Sequence, residues 1–171
     1  MCDMYEQGLS CVTMSKPWGA CGVSIGWLAF RDLQIRQSLV DVQYFGTACP
    51  SRASEIQALM VLRANDSIMS KNLRVLNSNF QLLKSFVEKN SDTFEWVPPT
   101  AGAIAFIKHK YLSSEEFGSR LVEVGIGMKP AYCFTDTMTP DLANYFRVGY
   151  GESKFPVALA ALEKYVSENR K

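Results

Sequence analysis

Residues 13–27 read Thr-Met-Ser-Lys-Pro-Trp-Gly-Ala-Cys-Gly-Val-Ser-Ile-Gly-Trp, and this stretch decides how the whole sequence is interpreted. Lys16 stands between two hydroxyl residues on one side and an aromatic ring with three glycines on the other. Glycines let the backbone turn sharply and approach a bound group, because they lack a Cβ atom. The hydroxyls of Thr13 and Ser15 can hold an oxyanion such as phosphate. Partial desolvation in such a loop would disfavour the charged form of Lys16 and make its amine a nucleophile.

The pattern around Lys16 carries more weight than the lysine alone, since most lysines are solvated surface residues. It runs hydroxyl, apolar, Ser, Lys, any residue, aromatic, Gly, two residues, Gly, three residues, Gly-Trp. This order resembles the lysine motif of the class I/II (fold type I) pyridoxal-phosphate aminotransferases, and the resemblance continues more weakly over nearly all of the chain. It implies pyridoxal 5′-phosphate as the cofactor and Lys16 as the catalytic residue. The implied cofactor-binding residues are Thr13, Ser15, Lys16 and Ser24.

Ser24 is a departure from the family pattern. Most members have an arginine eight positions after the lysine, and that arginine binds the cofactor phosphate. A neutral hydroxyl donates one hydrogen bond and cannot make a charge-assisted, two-pronged contact. Either the phosphate is held less tightly in this protein, or another group supplies the positive charge.

Arg147 is the second candidate site residue. It lies in the run Tyr-Phe-Arg-Val-Gly-Tyr at 145–150, which predicts a strand with Arg147 on the face opposite Phe146. Taken alone, such an arginine is solvated or belongs to an internal salt bridge. Its guanidinium fork also matches a carboxylate in two parallel hydrogen bonds. The resemblance implies that Arg147 binds the α-carboxylate of an amino-acid substrate, with Gly149 leaving room for it.

Three further positions are weaker candidates. Gly102 follows a Pro-Pro pair and resembles the Pro-x-Gly segment that lines the family's substrate entrance, although a plain turn glycine explains it nearly as well. Thr47 falls where family members reach toward the neighbouring subunit's cofactor phosphate. Gly125 and Gly127 do not indicate a dinucleotide loop, because no strand–Gly-x-Gly-x-x-Gly–helix pattern surrounds them.

Length and charge exclude several classes of protein. The 171 residues, 47% of them hydrophobic, suffice for one domain or two small ones with a sizeable core. A formal charge of +1 gives no reason to expect nucleic acid or an anionic membrane as a partner. No apolar run approaches the roughly 20 residues that cross a bilayer. The N-terminal residues lack the pattern of a signal peptide.

The cysteines and the single histidine argue against a metal site. The five cysteines include no C-x-x-C pair, and no cluster of metal-ligand type surrounds His109. For His109 we expect a role at the surface or at the end of a strand. For the cysteines we expect buried free thiols in a reducing compartment, and hence a cytoplasmic protein.

The predicted fold class is α/β. Strand patterns at 9–14 and 23–30 flank the lysine loop, three helical stretches follow, and an α+β pattern begins at Phe94. A short strand is predicted at 126–128, and Ser113 with Glu116 forms a capping box. The resemblance implies the C-terminal portion of the fold type I PLP-dependent transferase fold. It divides the chain into a remnant of the large PLP-binding domain (1–50) and the interdomain helices with the small C-terminal α+β domain (51–171).

The implied function is that of an aminotransferase, which moves an amino group between an amino acid and a 2-oxo acid through a pyridoxal phosphate Schiff base. Its partners would be these substrates, and its full-length form a homodimer. The aromatic ring, asparagine, tyrosine and aspartate with which the resembled enzymes hold the rest of the cofactor have no counterpart here. We therefore expect a truncated chain that is inactive alone.

Two alternatives remain open. A PLP-dependent lyase, cyclase or synthase of the same fold would use the same lysine and arginine. A non-catalytic dimerisation or regulatory fragment is the other. Since the neighbouring strands of the large-domain sheet are missing, we also expect the apolar side chains between 23 and 30 to lack packing partners.

Overall fold

A computed structural model of the protein describes residues 2–169. They form two compact units, one ending at Asn72 and the other beginning at Leu73. These units are defined by the compactness of the chain and not by function. The predicted domain boundary between residues 50 and 51 therefore stays a prediction. Among the described residues, no helix combines the length and the apolar character needed to cross a membrane.

The first unit begins with a β-hairpin built around the lysine loop. β1 (Leu9–Thr13) pairs antiparallel with β2 (Gly26–Phe30). β2 starts later than the predicted residue 23, because a 3₁₀ turn occupies Cys21–Val23 and Ser24 adopts a left-handed conformation with φ 53°. The helices α1 (Arg36–Gly46) and α2 (Arg52–Arg63) follow, and α3 (Asn65–Lys89) begins in this unit.

The core of the first unit is small. Its buried members are Met14, Val23 and Ala58, and α1 buries no residue at all. On β2, Trp27 and Leu28 remain 40% and 45% exposed. The expected lack of packing partners is thus confirmed for these two side chains. It is wrong for Val23, because the 3₁₀ turn directs that residue into the cluster with Met14 and Ala58.

The second unit contains a four-stranded antiparallel sheet. Its strands are β3 (Phe94–Trp96), β4 (Ile104–His109), β5 (Lys129–Pro130) and β6 (Tyr145–Gly149), arranged in the order β3-β4-β6-β5. The helices of the unit are the remainder of α3, α4 (Ser114–Val122) and α5 (Phe155–Glu168). The Ser113 hydroxyl accepts the N–H of Glu116 at 3.1 Å, which confirms the predicted cap of α4.

One face of this sheet carries the core, and the other stays open. Alternate residues of β4 and β6 pack with the three helices in a cluster that includes Ala105, Ile107 and Phe146. On the opposite face, Ile104 and Phe106 are 45% and 41% exposed. Because side chains alternate along a strand, Arg147 belongs to this open face.

Two sequence-based expectations for this unit and for the thiols are wrong. Residues 126–128 form no strand, because Ile126 and Met128 pack against the core and pairing with β6 begins only at Lys129. His109 ends a strand, which confirms one of the two roles expected for it, and the residue is buried. The cysteines are mostly exposed, since Cys11, Cys21, Cys49 and Cys133 occupy open strand, turn and loop positions.

Candidate functional site

The loop that carries Lys16 is fixed by backbone hydrogen bonds at both ends. The Met14 N–H donates to the Ile25 carbonyl at 3.0 Å, and the Met14 carbonyl accepts the Ala20 N–H at 3.2 Å. At the tip, the Gly19 N–H donates to the Lys16 carbonyl at 3.2 Å, and Gly19 has φ +66°. A positive φ at this position suits glycine, so the sequence Lys-Pro-Trp-Gly folds locally into a tight turn.

Side chains attach this loop to the start of α3. The Trp18 indole N–H donates to Asn65 Oδ1 at 2.9 Å, and Asn72 Nδ2 donates to the Pro17 carbonyl at 3.0 Å. The Trp18 ring also lies 6.1 Å from that of Trp27. Sequence reasoning missed both asparagines, which lie about fifty residues away along the chain with no local signal linking them to the loop. These two hydrogen bonds fix the position of the turn corner relative to the start of α3.

Lys16 itself is exposed, and its amine makes no hydrogen bond or ion pair with any residue in the described range. The prediction that this amine is desolvated is therefore wrong for the part of the chain that the structure describes. The physical reason is that Lys16 and Pro17 occupy the corner of a turn, a position at which the chain runs over the surface. The backbone of the loop is fixed by hydrogen bonds, but the loop does not shield the amine of Lys16 from solvent.

Thr13 and Ser24 line one cavity of about 630 Å³ beside the hairpin, together with Thr47. Ser15 and Lys16 are not among its lining residues. The cavity also contains Arg36, at the first turn of α1, which forms no ion pair with any other described residue. Sequence reasoning missed Arg36. Its guanidinium could supply the positive charge that is absent at position 24, where this chain has a serine. The structure thus brings two predicted cofactor-binding residues, Thr13 and Ser24, to one cavity with a guanidinium that has no ion-pair partner among the described residues.

Arg147 is partly buried on the open face of the sheet in the second unit. Its guanidinium carbon lies 4.7 Å from the centre of the Phe134 ring, so an aromatic face orients it. No carboxylate of residues 2–169 forms an ion pair with it. The internal salt bridge considered from the sequence is therefore absent within that range, and the guanidinium remains available to an anion.

Lys129 is the direct partner of Arg147 across the β5–β6 pair. Side chains directly opposite each other on antiparallel strands leave the sheet on the same face, and like charges there repel. Lys129 is exposed and has no ion pair among the described residues either. Sequence reasoning missed it, because the short strand was placed two to three residues too early. The pair forms a concentration of positive charge suited to a carboxylate.

Gly102 adopts φ +85°, which supports the turn reason for this glycine. Its carbonyl accepts the hydroxyl of Tyr150 at 2.8 Å, which ties the turn to the end of β6. Burial raises the pKa of Tyr150, so the phenol stays a neutral donor. The predicted role of Gly102 at a substrate entrance stays a prediction.

Thr13, Ser15, Lys16 and Ser24 belong to the first unit, whereas Gly102 and Arg147 belong to the second. Within residues 2–169, no group of three or more His, Cys, Asp or Glu side chains is placed to hold a metal ion.

Comparison with known proteins identifies the class to which this fold and site belong. The profile of the family "Aminotransferase class I and II" matches residues 2–156, so the chain belongs to that family. No curated protein matches the chain. Membership of the family indicates pyridoxal 5′-phosphate as the cofactor, which confirms both the predicted family and the predicted cofactor.

Solved structures share the fold at low sequence identity. A PLP-dependent aminotransferase from Streptococcus suis 89-1591 has 21% identity and a TM-score of 0.85, over 99% of this chain and 44% of that one. The PLP-dependent cyclase OrfR has 20% identity and a TM-score of 0.78, over 94% and 43%. A PLP-bound C-S lyase from Staphylococcus hominis has 14% identity and a TM-score of 0.77, over 99% and 44%. The predicted fold class is confirmed, and the chain spans less than half the length of these structures.

Proposed function

We propose that the protein is an aminotransferase that moves an amino group between an amino acid and a 2-oxo acid, and that this chain contributes the lysine and the substrate-binding arginine. Membership of the aminotransferase class I and II family supports the chemistry. The observation that carries the substrate assignment is the pair of unpaired cations, Lys129 and Arg147, side by side on one sheet face. An α-carboxylate neutralises one of these two charges and relieves the repulsion between them.

The donor set of the first unit fits the aldehyde and the phosphate of pyridoxal 5′-phosphate. The amine of Lys16 would hold the aldehyde carbon. The hydroxyls of Thr13 and Ser24 and the guanidinium of Arg36 line one cavity and would hold the phosphate. When bound, the cofactor supplies an electron sink and carries the amino group between the two substrates. In this role Arg36 would replace the arginine that most family members have at the position of Ser24, because its guanidinium is also a cationic, two-pronged donor.

Lys16 would move the proton in the reaction. Once its amine is free and neutral, the Nζ atom would take the proton from Cα of the amino acid and could deliver it to the carbon that was the aldehyde of the cofactor. A general base of this kind works best when its pKa lies near the operating pH, which requires desolvation of the amine. Lys16 is exposed at the turn corner. The proposal therefore includes shielding of the Lys16 amine from solvent by other parts of the protein.

Arg147 would fix the substrate by two parallel hydrogen bonds to its carboxylate. Stacking on Phe134 limits the orientations of the guanidinium, so less rotamer freedom is lost on binding. Lys129 adds a second positive charge on the same face, which raises the affinity for anionic substrates without the planar fork of arginine. An amino acid held in this way presents its Cα–H in one orientation, which proton abstraction requires.

Two other functions remain as candidates. The likeness to OrfR and to the Staphylococcus hominis lyase favours a PLP-dependent cyclase or lyase, since the same lysine and arginine serve those reactions. The exposed Lys16 and the three-residue core of the first unit favour a non-catalytic fragment for the chain by itself. A homodimeric assembly and a cytoplasmic location are further parts of the proposal.

Transfer of an isotope label decides among these functions. The longest polypeptide expressed from the gene that encodes this chain is incubated with PLP, a mixture of ¹⁵N-labelled amino acids and a mixture of 2-oxo acids. Appearance of ¹⁵N in the amino acids formed from the added oxo acids supports the aminotransferase. Release of labelled ammonia without transfer supports a lyase. Neither product, together with no visible absorption band from bound PLP, supports the fragment. A Lys16→Ala variant provides the background rate.

A further inference from the structure

A second cavity lies in the second unit, beside the end of β4, and none of the candidate site residues lines it. Its volume is about 400 Å³, and it is formed between the C-terminal end of α5, the helix α4 and the segment around residue 92. The residues that matter for its chemistry are Asp92, His109, Tyr111, Phe117, Arg120 and Tyr165. The size is that of a pocket for a small molecule.

His109 gives this cavity a buried hydrogen-bond donor. The residue is 6% exposed, and its Nδ1 atom accepts the backbone N–H groups of Tyr111 and Leu112 at 3.2 and 3.0 Å. An imidazole nitrogen that accepts carries no proton, so the proton of the neutral ring is on Nε2. That N–H has no acceptor among residues 2–169. No buried side-chain nitrogen or oxygen of that range is left without a partner, so Nε2 reaches open space, and the cavity is the open space that His109 lines.

The walls around His109 are aromatic. Its ring centre lies 4.8 Å from that of Phe117 and 6.3 Å from that of Tyr111. Phe117 in turn lies 6.3 Å from Tyr165. Rings at these separations contact one another, and a further aromatic ring inside the cavity can pack beside them in an offset or edge-on arrangement. The cavity therefore suits an aromatic side chain more than a flexible polar one.

Two opposite charges complete the lining. Arg120 bonds Glu116 through one nitrogen at 2.6 Å, which leaves most of its five N–H groups free. The carboxylate of Asp92 forms no ion pair with any residue of the described range. A ligand that satisfies both must carry an anionic and a cationic group within the span of one small cavity. A free α-amino acid has this arrangement.

We propose that this cavity binds a free aromatic α-amino acid. Arg120 and the Nε2–H of His109 donate to its carboxylate, Asp92 accepts from its ammonium group, and its ring packs beside Phe117 and Tyr165. The site is separate from Lys16 and Arg147 and does not depend on the proposed function.

The single histidine of the chain makes a direct test possible. The 171-residue chain is labelled with ¹⁵N in its histidine side chain, and the Nε2–H signal is followed by NMR at pH 7.5. L-phenylalanine, 3-phenylpropanoate and phenethylamine are added in parallel titrations. We expect saturable shifts with L-phenylalanine. Each analogue lacks one charge-assisted contact. We therefore expect each to bind at least about tenfold more weakly than L-phenylalanine.

Variants assign the two charges. Arg120→Gln should reduce the preference for L-phenylalanine over phenethylamine, and Asp92→Asn should abolish its preference over 3-phenylpropanoate. The matched controls Arg74→Gln and Asp136→Asn change exposed residues outside the cavity and should leave the binding unchanged. Arg147→Gln should leave it unchanged as well. Each variant is first checked for the unshifted Nε2–H signal, which reports that the second unit is folded.

Three results would overturn the proposal. The first is an Nε2–H signal that does not respond to millimolar L-phenylalanine. The second is equal binding of all three ligands, which would mean that only the apolar walls are used. The third is loss of binding in Arg147→Gln, which would place the amino acid at the substrate arginine. The last result would leave the proposed aminotransferase function intact, so the two proposals fail separately.

Discussion

Lys129 and Arg147 face each other across the β5–β6 pair, and neither has an ion-pair partner among the described residues. Two like charges in this relationship destabilise a sheet unless an anion lies between them. The relationship therefore links stability to function, because the repulsion in the free protein is relieved when a carboxylate binds. It leads to the first prediction.

Replacing Lys129 by glutamine should stabilise the second unit and weaken carboxylate binding. Removal of a like-charge cross-strand pair is worth roughly 0.2–1 kcal/mol in the free energy of unfolding, and less at high salt, where exposed charges are screened. Urea unfolding of the chain at low and high salt measures both effects. Arg74→Gln, an exposed arginine without an ion-pair partner in residues 2–169, is the control. A destabilised Lys129→Gln variant would show that Lys129 already has an anionic partner.

Arg36 should carry the phosphate contact that Ser24 cannot make. In a polypeptide that binds PLP, Arg36→Gln should weaken the cofactor by about tenfold or more, because a charge-assisted hydrogen bond is lost. Ser24→Arg should restore the affinity in the Arg36→Gln background and change it little in the native background. Titration followed by the absorbance of bound PLP measures all four proteins. Arg31→Gln, outside the cavity, is the control, and an unaffected Arg36→Gln would remove Arg36 from the site.

Gly26 should be the least replaceable glycine of the lysine loop. A Cβ atom at this position would lie 2.6 Å from the Val12 carbonyl oxygen, and backbone on both strands must move to relieve it. We expect Gly26→Ala to destabilise the hairpin by about 1–3 kcal/mol, as overpacking does. Gly22→Ala, which meets open space, should stay within about 0.5 kcal/mol. Amide exchange at Met14, whose N–H bonds Ile25, reports the local opening. Equal effects of the two substitutions would contradict this geometry.

His109 should make the stability of the second unit depend on pH. Its pKa lies below the usual 6.5, chiefly because of burial and secondly because of the positive charge of Arg120, while Glu116 acts in the opposite direction. A lowered pKa means that the unfolded chain binds the proton more readily than the folded one. The stabilising contribution is therefore complete above pH 6.5 and is lost as the pH falls from 6.5 toward the folded pKa.

This dependence has a definite slope and a definite cause. One proton accounts for at most about 1.4 kcal/mol per pH unit, and protonation at Nδ1 breaks the bonds from Tyr111 and Leu112. Unfolding between pH 7.5 and 5.5, compared with His109→Gln, isolates the contribution. Direct NMR titration of the one histidine checks it without a variant. A histidine that titrates at 6.5 or above in the folded chain would contradict the assignment.

Local chemistry explains what the sequence could predict. The glycine turn at Lys16, the cap at Ser113 and the strand around Arg147 each depend on residues close together in the chain. Each was predicted from pattern and from the family resemblance. The fold class followed from the order of these elements.

The remaining features depend on pairings that no local pattern specifies. Lys129 became a neighbour of Arg147 through strand register, and Arg36 joined Ser24 through the placement of α1 beside the hairpin. His109 lies at the end of a strand, one of the two places expected for it, and its burial comes from tertiary packing against Phe94 and Phe117. The exposure of Lys16 has a similar origin, since cover for a turn corner comes from distant parts of a fold.

Chemical labelling of Lys16 tests the proposed function most directly. The longest polypeptide expressed from the gene that encodes this chain is saturated with PLP, reduced with borohydride, digested and mapped by mass spectrometry. Our proposal predicts a stoichiometric pyridoxyl group on the peptide that contains Lys16, and loss of the label in Lys16→Ala. A label on Lys71 or Lys129 instead, or an unlabelled Lys16 in a protein that transfers amino groups, would contradict it.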